Sequence, residues 1–138
     1  MQGGKDFDLL FTDRSDASGT GYFNPVTSTY RHDILSTALR TDRTIIAPRI
    51  VEPASFGGKT LSGIPIAAGA GDNAAAALGV QAEPGDVVVS LGTSGTAFAV
   101  SDTPTHDPSG AVAGFADATG RYLPLVCTLN AARILDAA

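Results

Sequence analysis

The sequence has little positive charge, a single cysteine and no long apolar run. Nine lysine and arginine residues stand against fourteen aspartate and glutamate residues, giving a net charge of -5. Without a basic patch, neither nucleic acid nor an anionic membrane is an expected partner. No segment approaches the roughly 20 apolar residues of a membrane span. Cys127 cannot form an intramolecular disulfide on its own, which favours a reducing, cytoplasmic location.

The composition is that of a globular chain. Hydrophobic residues make up 43% and charged residues 17% of the 138 residues, which leaves room for one domain or parts of two. Residues 1–6 lead into only a short apolar run, so the apolar core of a signal peptide is missing. The sequence stops inside what reads as a helix just begun. We therefore expect it to be a piece of a longer protein.

Apolar spacing and glycine positions predict the order of the elements. Ile34, Leu35, Ala38 and Leu39 recur at helical spacing and predict a helix of about three turns. A short strand suited to the inside of a sheet and an alanine-rich helix follow, then two hairpins and the start of another helix. Their predicted ranges are 64–68 for the strand, 72–80 for the helix, 87–91 with 96–100 and 111–116 with 122–128 for the hairpins, and 129 onward for the last helix. Residues 52–62 are predicted to be a loop.

The first glycine corner, residues 69–71, immediately precedes Asp72 and Asn73. Aspartate is a preferred N-cap, so capping of the alanine-rich helix is the simpler interpretation of Asp72. The alternative is catalytic, because a carboxylate at a fixed corner can orient a hydroxyl group and accept its proton during phosphoryl transfer. Asn73 is either a second capping residue or a hydrogen-bonding partner for a sugar hydroxyl.

The second glycine corner consists of Gly92, Thr93, Ser94 and Gly95. Four small residues between two strands are an ordinary hairpin connection. Alternatively, glycine lets the backbone approach a phosphate, the N–H groups form an anion nest, and the two hydroxyls add donors. No lysine follows and no helix starts there, so the corner is not a Walker loop. A phosphate site here would need a cation from elsewhere, for which magnesium is the expectation.

Three segments together resemble the FGGY carbohydrate kinases. They are Ser15-Asp16-Ala17-Ser18-Gly19-Thr20, then the first glycine corner continued through Gly79, then Ser90-Leu91 followed by the second glycine corner and Thr96. Their order and spacing make the resemblance far more specific than any one segment, and it extends from Phe7 to the C-terminus. It implies part of an α/β, actin-like ATPase (ribonuclease H-like) fold. Residues 1–82 would be the C-terminal part of the first, sugar-binding domain, and 83–138 the N-terminal part of the second, ATP-binding domain.

The resemblance also implies roles for individual residues. Asp72 matches the catalytic base and a substrate-binding residue, and Asn73 matches a residue that contacts the sugar. The second glycine corner, from Gly92 to Gly95, matches a phosphate motif that binds ATP, with Thr93 the foremost contact. The expected ligands are ATP, Mg²⁺ and a small-molecule sugar, with no protein metal ligand in this chain. Asparagine after the aspartate favours a ketopentose, and phosphorylation of D-xylulose at its C5 hydroxyl is the expected reaction.

Parts of the family pattern are missing from the chain. These are an Asp-x-Gly-Thr phosphate hairpin, early residues that hold the sugar, and a late glycine-rich adenine site, so the isolated chain is not expected to phosphorylate a sugar. Two alternatives stay open: a kinase for gluconate, ribulose or glycerol, or a non-catalytic sugar- or nucleotide-binding module. Exposed apolar strands would favour self-association, for instance as a homodimer. Asp13 and Asp16 are predicted to form turns, and Cys127 to be an inert core thiol.

Overall fold

A computed structural model of the protein describes residues 7–137; the first six residues, on which part of the signal-peptide argument rests, and residue 138 lie outside it. A short 3₁₀ helix, Phe7–Leu9, precedes four α-helices: α1 (Arg14–Ser18), α2 (His32–Leu39), α3 (Asp72–Gly79) and α4 (Ala132–Asp136). The strands are β1 (Phe11–Asp13), β2 (Phe23–Asn24), β3 (Thr29–Tyr30), β4 (Arg49–Val51), β5 (Phe56–Lys59), β6 (Pro65–Ala67), β7 (Val87–Leu91), β8 (Gly95–Ala99), β9 (Ala113–Ala116) and β10 (Tyr122–Thr128).

The strands form one four-stranded sheet and three pairs. The four-stranded sheet is antiparallel throughout, in the order β7-β8-β10-β9. β1 pairs in parallel with β4, whereas β2 with β3 and β5 with β6 are antiparallel pairs. Both predicted hairpins are confirmed. The predicted alanine-rich helix, which lies between the first glycine corner and the first hairpin, is confirmed as well. The predicted helix around 34–39 is also confirmed, although α2 has eight residues and is nearer two turns.

The main hydrophobic cluster lies between α3 and one face of the four-stranded sheet. Ala74 and Ala77, three residues apart on one side of α3, are buried against Phe98 and Leu123. Residues at this spacing face the same way on a helix, and the small alanine side chain lets the helix lie close to the sheet. The alanine-rich segment therefore forms the cover of the sheet, and α3 is held by burial of one face.

This cluster crosses the predicted domain boundary between residues 82 and 83. Ala74 and Ala77 precede the boundary, while Phe98, Val100, Leu123 and Leu125 follow it. A second contact has the same property, because the Ala116 N–H donates to Ser18 Oγ at 3.0 Å. The boundary stays a prediction, and the two predicted parts share buried surface within this chain.

Two predictions about the middle of the chain are wrong. The predicted loop 52–62 contains β5, which pairs with β6. Within residues 7–137, β6 has no second partner strand and is exposed along its length, so it is not a strand inside a sheet there. The glycine pair Gly57-Gly58 hides the strand from sequence patterns, because glycine has low β-propensity and offers no side chain to pack.

The prediction of a buried Cys127 is also wrong, because the thiol is exposed. β10 is covered at its start, but residues 126–128 lie beyond the cover and are exposed. The outer face of the sheet is apolar and open as well, with Val87, Val89 and Leu91 of β7 between 61% and 68% exposed. The expectation of exposed apolar strands is confirmed.

No helix within residues 7–137 is long and apolar enough to cross a membrane.

Candidate functional site

The first glycine corner is fastened to the beginning of α1. Asp13 caps α1, since its carboxylate accepts the backbone N–H groups of Ser15 at 2.9 Å and Asp16 at 3.1 Å. The buried Ser15 hydroxyl donates to the same carboxylate and accepts the N–H of Gly71 at 2.8 Å. A Cβ on Gly69 would lie 3.0 Å from an Asp13 carboxylate oxygen, so glycine lets the corner approach this closely. The prediction that Asp13 and Asp16 form a turn is wrong, because Asp13 ends β1 and is the N-cap of α1, and Asp16 lies within that helix. The link from Asp13 to the corner was not foreseen.

Asp72 is the first residue of α3 and does not cap it. The N-cap is Gly71, an extended residue with φ -60° and ψ 156°, and no side chain makes a capping bond there. The capping interpretation of Asp72 is therefore wrong. Gly71 occupies the N-cap position, so Asp72 is the first helical residue instead of the cap. Its carboxylate accepts one free N–H group of the first turn, that of Asn73, at 2.8 Å.

Asp72 is exposed, so a hydroxyl group of a ligand can reach its carboxylate. The Asn73 side-chain amide donates a second hydrogen bond to the same oxygen, Oδ1, at 3.1 Å. Negative charge is favoured at the N-terminus of a helix. The carboxylate is thus held on one side by its neighbour and accessible on the other, which is the arrangement that a base acting on an external hydroxyl requires.

Asn73 also connects the two glycine corners. Its amide oxygen accepts a hydrogen bond from the Thr96 hydroxyl at 3.2 Å. Thr96 lies in β8, directly after Gly95 and the second glycine corner. The structure therefore brings the two predicted parts of the site together through one side-chain contact. Sequence reasoning missed the role of Thr96, because nothing local marks a threonine in a strand as the partner of a residue 23 positions earlier.

The second glycine corner joins β7 to β8 and packs against the start of α4. The carbonyl oxygens of Gly92 and Thr93 accept the N–H groups of Ala132 at 2.9 Å and Ala131 at 3.0 Å. The Gly92 N–H donates to the Ser94 carbonyl at 3.0 Å, so this member of the predicted anion nest is engaged within the chain. These bonds fix the loop backbone on the α4 side.

The four residues of this corner differ in their surroundings. Gly92, Thr93 and Ser94 are exposed, whereas Gly95 is a buried strand residue. A Cβ on Gly95 would lie 3.0 Å from Ala131 Cβ and 3.1 Å from Thr128 Cγ2. Packing against α4 is thus sufficient to explain glycine at position 95. The exposed Thr93 and Ser94 hydroxyls fit the phosphate-binding interpretation better, and all four contacts with ATP stay predictions.

A cavity of about 530 Å³ opens beside the first glycine corner. Its lining consists mostly of small and apolar residues: Pro53, Ala54, Ala68, Gly69, Ala70, Leu78, Ala118 and Thr119. A sugar needs several hydrogen-bonding partners, and this lining offers few.

The part of the chain that the structure describes contains no group of three or more histidine, cysteine, aspartate or glutamate residues placed to hold a metal ion.

Comparisons of the sequence and of the structure both find xylulose kinases that are similar to this chain. The chain is 49% identical over 133 residues to the xylulose kinase of Streptomyces coelicolor, covering 91% of this chain and 27% of that protein. It is 47% identical, with the same coverage, to the xylulose kinase of Streptomyces rubiginosus. The crystal structure of xylulose kinase from Bifidobacterium adolescentis superposes with a TM-score of 0.86 at 42% identity, covering 99% of this chain and 31% of the other.

These likenesses confirm the predicted fold as part of the actin-like ATPase fold of the sugar kinases. The chain spans 27% of the length of the curated relatives, so its counterpart in them is a segment of a larger protein. No protein-family profile matches the chain.

Proposed function

Because the chain is a homologue of a segment of the xylulose kinases, we propose that it belongs to an ATP-dependent sugar kinase. The proposed reaction transfers the γ-phosphate of ATP to the C5 hydroxyl of D-xylulose. The observation that carries the proposal is the placement of Asp72, which is exposed, is released from capping by Gly71, and is oriented by Asn73. Phosphoryl transfer is catalysed mainly by positioning and electrostatics, so a fixed carboxylate is the group to expect at the acceptor.

Asp72 is proposed to act as the general base. The C5 oxygen forms a bond to the γ-phosphorus, the bond from that phosphorus to the bridging oxygen breaks with its electrons leaving on ADP, and the hydroxyl proton passes to Asp72. Asn73 can also contact the sugar directly. One of its amide N–H groups is used on Asp72, and an amide nitrogen has two.

The second glycine corner is proposed to contact the phosphates of ATP. Thr93 and Ser94 would donate their exposed hydroxyls to phosphate oxygens, while Gly92 allows close approach of the backbone and Gly95 sets the packing of the loop on α4. ATP itself is supported by the kinase relatives.

Mg²⁺ is proposed as the companion of ATP, where it would offset phosphate charge. Within residues 7–137 there is no protein cage for it. The ion would therefore be held chiefly by phosphate oxygens and water, as is common for magnesium at nucleotide sites.

The division of the chain follows from the same proposal. Residues 1–82 would end the sugar-binding domain and residues 83–138 would begin the ATP-binding domain. The cluster between α3 and the sheet would then be a contact between the two domains, directly behind the proposed base. A cytoplasmic location is proposed because its substrate ATP is found there and the single cysteine needs no disulfide partner.

Replacement of Asp72 by asparagine tests the base in the complete kinase that contains this segment. We expect kcat to fall by about 100-fold or more. The melting temperature should fall by only a few degrees, because Asp72 is exposed and is not the N-cap, and the change removes only the favourable charge at the start of the helix. Asp42→Asn, a change at another exposed aspartate, is the matched control and should keep full activity.

A turnover of Asp72→Asn within about tenfold of the original, or ~1.4 kcal/mol, would show that the base assignment is wrong. The acceptor is tested separately with D-xylulose, ribulose, gluconate and glycerol. A kcat/KM highest for any sugar other than D-xylulose would replace the proposed substrate. ATP binding without turnover of any of them would favour the non-catalytic module.

A further inference from the structure

We infer that Thr96 is a positioning residue, which orients the proposed base Asp72 through the side chain of Asn73. The inference rests on the proposed function and deepens it. Three side chains form a line: the Thr96 hydroxyl donates to the Asn73 amide oxygen at 3.2 Å, and the Asn73 amide nitrogen donates to Asp72 at 3.1 Å.

The direction of the two hydrogen bonds follows from the chemistry of the groups. An ionised carboxylate can only accept, so the NH₂ of Asn73 must face Asp72. The amide oxygen then faces Thr96, and only a donor can satisfy it there. A hydroxyl supplies that donor, whereas an apolar side chain of the same shape does not.

Without the hydroxyl, the amide of Asn73 is held at one end only. The terminal torsion of asparagine is soft and roughly two-fold, so the amide can rotate away from the carboxylate once its oxygen is released. Asp72 would then keep the bond from the Asn73 backbone and lose the orientation that the side chain adds. Small losses of alignment in a proton-accepting group lower kcat more than they weaken ligand binding.

The position of Thr96 in the sheet makes it suited to this role. Thr96 pairs with Ser90 on β7 and with Cys127 on β10, so its backbone is fixed between two strands. It follows the second glycine corner after one residue, Gly95. A hydroxyl on this strand therefore links the proposed sugar side of the site, at Asn73, to the proposed phosphate side, at the second glycine corner.

Three variants of the complete kinase test the inference. Thr96→Val removes the hydroxyl and keeps the shape, and we expect kcat to fall by about three- to tenfold with little change in the KM for ATP. Thr96→Ser keeps the hydroxyl and should restore kcat to within about twofold. Thr12→Val is the matched control. Like Thr96, Thr12 is a half-buried strand threonine whose hydroxyl donates to a side chain, in this case that of Asp16 at 3.0 Å. The kcat of the Thr12→Val variant should not change.

A double-mutant cycle separates positioning from a general effect on packing. Asn73→Ala removes the intermediate side chain, so adding Thr96→Val to it should change kcat by less than about twofold. Unchanged kcat in Thr96→Val, or an equal loss in both backgrounds, would overturn the inference. Should Thr96→Val fail to fold, Thr96→Ala is measured in its place with the same expectations.

The outcome for Asp72→Asn keeps this test distinct from that of the proposed function. An active Asp72→Asn variant refutes the base itself and with it the inference. An inactive Asp72→Asn variant together with an unaffected Thr96→Val variant refutes the positioning role alone.

Discussion

Gly95→Ala is expected to destabilise the protein, although glycine in a strand is usually less favourable than alanine. The new Cβ would lie 3.0 Å from Ala131 Cβ and 3.1 Å from Thr128 Cγ2, where carbon atoms in contact prefer about 3.5–4.0 Å. Ala131 Cβ is bonded directly to the backbone and Thr128 Cγ2 belongs to a short branched side chain, so neither atom can swing aside freely.

The magnitude follows from two opposing effects. Overpacking of this kind costs about 1–3 kcal/mol, while removal of a strand glycine returns about 0.5–1 kcal/mol. Taken at their midpoints, the two effects leave a net loss of about 1 kcal/mol, or a fall in melting temperature of about 3–6 °C for a chain of this length. Displacement of Ala131 would also loosen its hydrogen bond to the Thr93 carbonyl, so the KM for ATP should rise in the complete kinase.

Thermal unfolding followed by circular dichroism measures the effect, with Gly92→Ala as the control from the same corner. A Cβ on Gly92 would meet only the Ser94 carbonyl oxygen, at an ordinary 3.4 Å, so its melting temperature should stay close to the original. Thr128→Ser removes the methyl group in the way and should recover part of the loss in Gly95→Ala. Unchanged stability of Gly95→Ala, or no recovery with Thr128→Ser, would refute the packing argument.

Two further predictions concern the first glycine corner and α2. Ser15→Ala should cost about 1–3 kcal/mol in thermal unfolding, because the buried hydroxyl joins Asp13 to the corner and its loss leaves partly buried groups unpaired; Ser36→Ala in α2 is the control. The Arg31 guanidinium, through hydrogen bonds to Asp33, lowers the pKa of that carboxyl to about 2. A lowered pKa means that the stabilisation is complete above the ordinary value of 3.8 and lost as pH falls through about 2; a carboxyl titration by NMR in Arg31→Gln should return the pKa towards 3.8.

The parts of the fold that sequence predicted well are those governed by nearby residues. The alanine-rich helix and both hairpins have periodic apolar positions with glycine or polar residues at their ends, so local preference and final structure agree. The strand β5 was missed because Gly57 and Gly58 carry no such pattern, and it exists through its pairing with β6. Cys127 was misplaced because an apolar strand does not reveal where its cover ends.

The candidate site divides in the same way. Local sequence patterns predict that Asp72 and Asn73 begin a helix after a glycine corner and that a second corner follows a strand. Three further features depend on the folded chain: Gly71 is the N-cap, Ser15 bonds Gly71 across 56 positions, and Thr96 bonds Asn73 across 23. Helix and turn preferences act over a few residues, whereas these hydrogen bonds depend on how α3 packs against the sheet and how the first corner lies on α1. Those contacts place Gly71 at the N-cap and leave the Asp72 carboxylate exposed beside the Asn73 amide.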